Sequence, residues 1–228
     1  PTSWHKLMVG DLSPTQQILR DTILKNISMT KITLGAGCFW HVEFALRRLP
    51  GIIDTSVGYS GGVTPSPTYK DVCTGNTNHA EVVMCSFDPQ ILSPRLLFEC
   101  FLAMHDPTIV RAHGKRAQKT GQYRSCIFVY DEDSLSLAQL TLKDCTKQLA
   151  KVLSTEVRRL PETSFWIAEN RHQRHDERVK SKDENDKKTL GFQQWLLEYG
   201  RRSASIWGSS ETILVDSDDD DGMARIMI

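Results

Sequence analysis

The chain has 228 residues, with 28 Lys and Arg against 28 Asp and Glu, 39% apolar and 25% charged. This is a globular composition and excludes collagenous, low-complexity and wholly disordered chains. The formal net charge of zero removes the global electrostatic case for nucleic-acid binding and leaves only a local basic patch open. No stretch approaches the 18 or so apolar residues of a membrane span, so a soluble protein that engages neither nucleic acid nor membrane is expected.

Residues 1–30 form an N-terminal arm whose turn signal at Ser13-Pro14 and apolar positions Ile18, Ile23 and Leu24 predict a helix over about 14–26. They contain Asp11 and Asp21 and lack an apolar or acid-free Arg/Ser-rich character, which argues against a targeting peptide. The expected compartment is the cytoplasm, with the mitochondrion left open because the chain begins at Pro1. Lys31 to Gly35 reads as a strand ending in a glycine turn, Cys38 to Leu49 as a helix stopped by Pro50-Gly51, and Ile52 to Tyr59 as a second strand. The loop with Ser60-Gly61-Gly62 and Thr64-Pro65-Ser66-Pro67 is long enough to be functional. A strand over Ala80–Phe87, a helix capped by Ser93 with Pro94 at its first position, a strand over Arg124–Tyr130 and a helix over 132–151 follow. Alternating strands and helices predict an α/β or α+β sandwich over 31–175. Beyond it, 176–228 reads as a charged tail with an amphipathic segment at Phe192, Trp195, Leu196 and Tyr199 and an acidic run around Asp218–Asp221.

The six cysteines are too sparse for a disulfide scaffold, and no Cys-x-x-Cys pair points to zinc or to a thioredoxin-type dithiol. Cys38 is the most informative of them. It follows Gly35-Ala36-Gly37 and opens a helix, where backbone N–H groups and the helix dipole favour the thiolate, so a lowered pKa and a nucleophile are expected. Phe39 and Trp40 come next, and one of them could wall a pocket. Glu81 enters the apolar run Val82-Val83-Met84, a setting that would raise a carboxyl pKa and keep a proton available near neutrality. The alternative is a carboxylate on the solvent face of that strand. Tyr123 precedes a strand in Gly121-Gln122-Tyr123-Arg124-Ser125 and could offer its hydroxyl to a substrate oxygen. His79-Ala80-Glu81 has the His-x-Glu form of zinc deaminases but lacks their Pro-Cys-x-x-Cys partner, so no metal is expected. The acidic run does not complete a calcium loop, because Ile228 falls where a bidentate Glu is required.

Taken together, Gly37-Cys38-Phe39-Trp40, Gly58-Tyr59-Ser60-Gly61-Gly62, Pro67-Thr68-Tyr69 to Cys73-Thr74-Gly75, His79-Ala80-Glu81, His105-Asp106-Pro107-Thr108, Gln122-Tyr123-Arg124-Ser125 and Ala168-Glu169-Asn170-Arg171-His172-Gln173 resemble the A-type peptide methionine sulfoxide reductases. The resemblance spans about 31–175. It implies a two-layer ferredoxin-like fold and reduction of the S epimer of methionine sulfoxide, free or in proteins, without a cofactor. It further implies Cys38 as nucleophile, Glu81 as acid, Tyr69 and Tyr123 as hydrogen-bond donors, and Phe39 and Trp40 as the cup for the S-methyl group. Cys38 would pass through a sulfenic acid. Thioredoxin or glutaredoxin is the implied reductant, and a monomer is expected.

The chain departs from the family pattern at Arg111–Gly121, which has no acid where many members carry Gly-Asn-Asp, and which instead holds Arg111, Lys115, Arg116 and Lys119. No cysteine follows Cys145, so either an internal thiol among Cys73, Cys85, Cys100, Cys126 and Cys145 or an external reductant resolves the sulfenic acid. These departures motivate the alternative of a member that binds oxidised methionine or senses redox state without turnover.

Overall fold

The computed structural model describes residues 13–14, 29–110, 121–179, 214–216 and 225–227. The elements are β1 (Thr30–Ala36), α1 (Phe39–Leu46), β2 (Ile52–Ser60), α2 (Tyr69–Cys73), β3 (Ala80–Phe87), α3 (Pro94–Ala103), β4 (Ser125–Val129), α4 (Glu132–Leu149), β5 (Glu156–Arg159), β6 (Trp166–Ile167), α5 (His175–Val179), β7 (Leu214–Asp216) and β8 (Arg225–Met227). Apart from Pro14, the expected helix over 14–26 lies outside the described residues, as does the amphipathic segment at 192–199.

The first six strands form one sheet in the order β5-β4-β1-β3-β2-β6. β3 lies antiparallel between β1 and β2, and β1 lies antiparallel between β3 and β4. β1-α1-β2 and β3-α3-β4 are therefore two split βαβ units, each leaving room for a strand of the other. α4 then returns the chain so that β5 runs parallel to β4, as a crossover helix allows. The result is the mixed α/β sandwich that the alternation of elements predicts.

Period-2 alternation sorts the strand side chains onto two faces. Ile32, Leu34, Val57, Tyr59, Val83, Cys85, Phe87, Ile127 and Val129 share one core with Phe39, Val42 and Leu46 of α1, Leu97 and Phe101 of α3, and Ala138 and Cys145 of α4. On the opposite face Ala80, Val82, Cys126 and Phe128 are covered by Leu160 and Phe165. Both faces at the sheet centre are dry, which is why β3 reads as a continuous apolar run.

Local chemistry sets the ends of the helices. Ser93 accepts from the Leu96 N–H with Pro94 at the first helical position, and Asp131 accepts from the Ser134 N–H, satisfying N–H groups that have no partner inside the helix. α2 lies in the stretch between the Thr64–Pro67 loop and β3, where the sequence predicts no element. It is held by a capping box in which the Thr68 hydroxyl accepts from the Asp71 N–H and the Asp71 carboxylate accepts from the Thr68 N–H. β5 and β6 are also additional to the predicted elements, being short and rich in charged or half-exposed residues at the sheet edges.

Candidate active site

β1 gives way to α1 through Gly37, whose φ of 115° is a backbone conformation that side chains disfavour. Cys38 follows as the N-cap of α1 in an extended conformation, with no side-chain cap of its own. Its sulfur faces the backbone N–H groups of Trp40 and His41. The lowered pKa expected from this position is not found: burial pushes the thiol up, the Trp40 N–H draws it down, and the nearby Glu81 carboxylate pushes it up again. Two N–H donors do not outweigh the cost of charging a partly buried sulfur beside a carboxylate.

Glu81 lies on the same face of β3 as Val83, Cys85 and Phe87, towards the helices, and directly opposite Tyr59 of β2. Only 1% of it is exposed. Oε2 accepts from the Phe39 N–H at 3.2 Å and Oε1 from the Gln122 side-chain amide at 3.0 Å. The Glu81 N–H in turn donates to the Gln122 carbonyl at 2.8 Å. Burial raises the carboxyl pKa to about 7 against the opposing pull of these two donors. Of the two positions considered from sequence, the buried one is observed.

Tyr69 opens α2, and its N–H donates to Glu169 Oε1 at 2.9 Å, while the buried Tyr59 hydroxyl donates to Glu169 Oε2 at 2.9 Å. The Tyr69 phenol is pushed up by burial, by a hydrogen bond to Cys73, and by the charges of Cys73, Glu81 and Tyr123. Tyr123 is pushed up by burial and then by Glu81 and Cys38. Cys38, Glu81, Tyr69 and Tyr123 therefore occupy one neighbourhood, although they come from four separate segments.

Phe39 is a core residue at 1% exposure. Its ring packs against Trp40, Tyr59 and His172 and forms the floor beneath the site. Trp40 is half-buried and stacks flat on His175, with ring centroids 3.8 Å apart and planes 10° from parallel. His172 lies 5.6 Å from Trp40 and 4.7 Å from Tyr69, closing an aromatic wall between the two helices.

The segment carrying both histidines is fastened at three points. The Gln173 side chain imitates a strand residue, accepting from the Val57 N–H and donating to the Val57 carbonyl, each at 2.9 Å. Glu43, 1% exposed on α1, accepts from Thr55 Oγ1 and from the Arg174 N–H. Arg47 pairs with Asp176 and Glu177.

Gln122, Glu169, His172 and His175 thus belong to the site and were given no role from sequence. All but His175 lie inside motifs that carried the resemblance, so position in a motif was the available signal. His79 has a different task. Its Nδ1 accepts from the Gly62 N–H at 3.1 Å and its Nε2 donates to the Thr64 carbonyl at 2.8 Å, so both ring nitrogens brace the glycine loop. The basic residues Arg111, Lys115, Arg116 and Lys119 lie outside the described residues.

The family model described as peptide methionine sulfoxide reductase matches residues 30–198. Peptide methionine sulfoxide reductase A1 of Arabidopsis thaliana is 43% identical over 141 residues, covering 62% of this chain and 68% of the relative. Peptide methionine sulfoxide reductase MsrA of Methanoculleus marisnigri is 41% identical over 150 residues, covering 65% and 89%. Among solved structures, methionine sulfoxide reductase A of Corynebacterium diphtheriae superposes with a TM-score of 0.60 at 32% identity, covering 68% of this chain and 75% of that one. Mxr1 from Saccharomyces cerevisiae in reduced form gives 0.58 at 30% identity, covering 71% and 93%. With a buried carboxyl set beside a helix-capping cysteine and a family match over most of its length, this chain belongs to the peptide methionine sulfoxide reductase family.

Proposed function

We propose that this chain is a thiol-dependent oxidoreductase that reduces the S epimer of methionine sulfoxide, free or in proteins, with Cys38 as nucleophile and Glu81 as acid. The observation that carries the reading is the Glu81 carboxyl, buried against the first N–H of α1 and half-protonated near neutral pH.

Near neutral pH part of the Glu81 population is ionised and able to accept a proton. Passing it from the Cys38 thiol to an ionised Glu81 creates the thiolate and the acid together, and removes the Glu81 charge that opposes the thiolate. The thiolate attacks the sulfoxide sulfur while Glu81 delivers the proton to the sulfoxide oxygen. Tyr69 and Tyr123, both held as neutral phenols, donate hydrogen bonds to that oxygen as charge builds on it. The oxygen ends on Cys38 as a sulfenic acid and methionine leaves. Trp40, supported by Phe39 and His175, packs against the S-methyl group.

A dithiol protein of the thioredoxin or glutaredoxin class then returns the enzyme to its thiol form. The protein acts as a monomer in the reducing environment of the cytoplasm, where its thiols are reduced between turnovers. No observation favours binding without turnover.

The test is multiple-turnover reduction of the separated S and R epimers with a small dithiol, running Cys38→Ser beside wild type. Consumption of the S epimer alone, abolished by the substitution, is the expected outcome. Turnover of the R epimer, or turnover that survives Cys38→Ser, would overturn it.

A further inference from the structure

The sequence leaves five thiols as candidates to resolve the Cys38 sulfenic acid, and the fold separates them. Cys85, Cys100, Cys126 and Cys145 are buried within the packed cores. Cys85 donates to the Ile32 carbonyl, Cys126 packs on the far face of the sheet, and Cys100 and Cys145 lie on α3 and α4. Burial pushes the Cys85, Cys126 and Cys145 thiols up to about 12.

Cys73 differs from all four. It is half-exposed and ends α2, the helix that Tyr69 begins. The Gln122 amide that donates to Glu81 at 3.0 Å also reaches the Cys73 sulfur at 3.8 Å, and Glu81 bonds the N–H of the residue following Cys38. One amide and one carboxyl therefore link the Cys73 sulfur to the backbone immediately after Cys38.

We infer that Cys73 is the thiol that condenses with the sulfenic acid of Cys38, giving an internal Cys38–Cys73 disulfide for the external dithiol to reduce. The Cys73 sulfur attacks the Cys38 sulfur, the S–O bond breaks, the oxygen leaves with the Cys73 proton and one more as water, and the two electrons that remain form the S–S bond. In sum, one sulfenic acid and one thiol become one disulfide and one water. In the intact enzyme the sulfenic acid comes from the reductase reaction, so to that extent the inference rests on the reading above.

A disulfide requires the two Cα atoms to come within about 7 Å, and α2, which carries Cys73, is a single short turn. Of its five residues only Val72 is buried, its N-terminus is capped by its own Thr68–Asp71 box, and the chain leaves it through Thr74 and Gly75, where an added Cβ would meet nothing within 4 Å.

The test uses the full, reduced chain without any reductant, in two arms. One arm receives methionine S-sulfoxide and the other dilute hydrogen peroxide, which makes a Cys38 sulfenic acid with no dependence on sulfoxide chemistry. Methionine released, thiols lost in denaturant and cross-linked peptides found by mass spectrometry are read together. Wild type should lose two thiols per oxidising equivalent, become lighter by two hydrogens and yield a Cys38–Cys73 peptide in both arms. Cys73→Ser should lose one thiol and accumulate a sulfenic acid that dimedone traps, while Cys145→Ser should behave as wild type.

A wild-type protein that keeps a dimedone-reactive Cys38 with its other thiols intact would overturn the inference, as would a disulfide from Cys38 to any other cysteine. Failure to release methionine while the peroxide arm still gives the Cys38–Cys73 peptide would sink the reductase reading alone.

Discussion

Replacing Glu81 by Gln should make the protein more stable and less active, and the stability gain should depend on pH. The carboxyl pKa rises from an ordinary 4.5 to about 7 on folding because the group is buried. Between these values the folded state binds more protons than the unfolded state, so stability falls as pH rises through the window and then levels off. A rise of about 2.5 units corresponds to about 3 kcal/mol at pH 8, each unit being worth about 1.4 kcal/mol. Below the unfolded value the term vanishes, since both states are protonated. The amide fits the site: its oxygen can accept from the Phe39 N–H, and Gln122 Oε1, which has no hydrogen-bond partner among the described residues, can turn to accept from its NH₂. Urea unfolding at pH 4.5 and pH 8 measures the effect. Glu81→Gln should be within about 0.5 kcal/mol of wild type at the lower pH and about 3 kcal/mol more stable at the higher. Loss of the acid should at the same time slow turnover by roughly 10² to 10⁴. A stability difference that is the same at both pH values would show that Glu81 is not held protonated by burial, and the acid role would lose its physical basis.

Glu169→Gln should lower kcat several-fold and cost about 1–3 kcal/mol, because the Tyr59 hydroxyl and the Tyr69 N–H donate to different carboxylate oxygens and the NH₂ that replaces one of them cannot accept; steady-state kinetics and thermal unfolding check it, and an unchanged kcat would refute a positioning role. Gly62→Ala should destabilise by about 1–3 kcal/mol, since its Cβ would fall 2.3 Å from the Thr77 carbonyl oxygen and 2.5 Å from His79 backbone and ring atoms; equal midpoints in urea would contradict this. His175→Ala should remove the stack on Trp40, worth about 0.5–1.5 kcal/mol, and lower kcat/KM by up to about tenfold, with His175→Phe restoring most of the loss. If Phe were no better than Ala, stacking would not be what holds Trp40 in place.

The strands and the long helices were legible from local chemistry. Ala80–Phe87 was read with the observed ends, α3 was marked by Ser93 and Pro94, and Cys38 was placed at a helix start by the glycines before it. These features depend on side-chain period, caps and turn residues, all of which act within a few positions along the chain. α2, β5 and β6 were not legible. α2 is one short turn that rests on a capping box, and the two edge strands pair with partners far away in sequence.

The site divided in the same way. Cys38, Glu81, Tyr69, Tyr123, Phe39 and Trp40 could each be named from the motif that carries it, but not their protonation. The helix N-terminus argued for a lowered Cys38 pKa, yet burial decided the sign. For Glu81 the apolar strand left two faces open, and only the packing of α1 over β3 selected the buried one. Desolvation is the sum of everything that surrounds a group, contributed here by four segments distant in the chain, and no local window contains it. Gln122, Glu169 and the histidine segment entered the site for the same reason: the bonds from Gln173 to Val57 and from Arg174 to Glu43 span more than a hundred residues, and contacts of that reach exist only once the chain has folded.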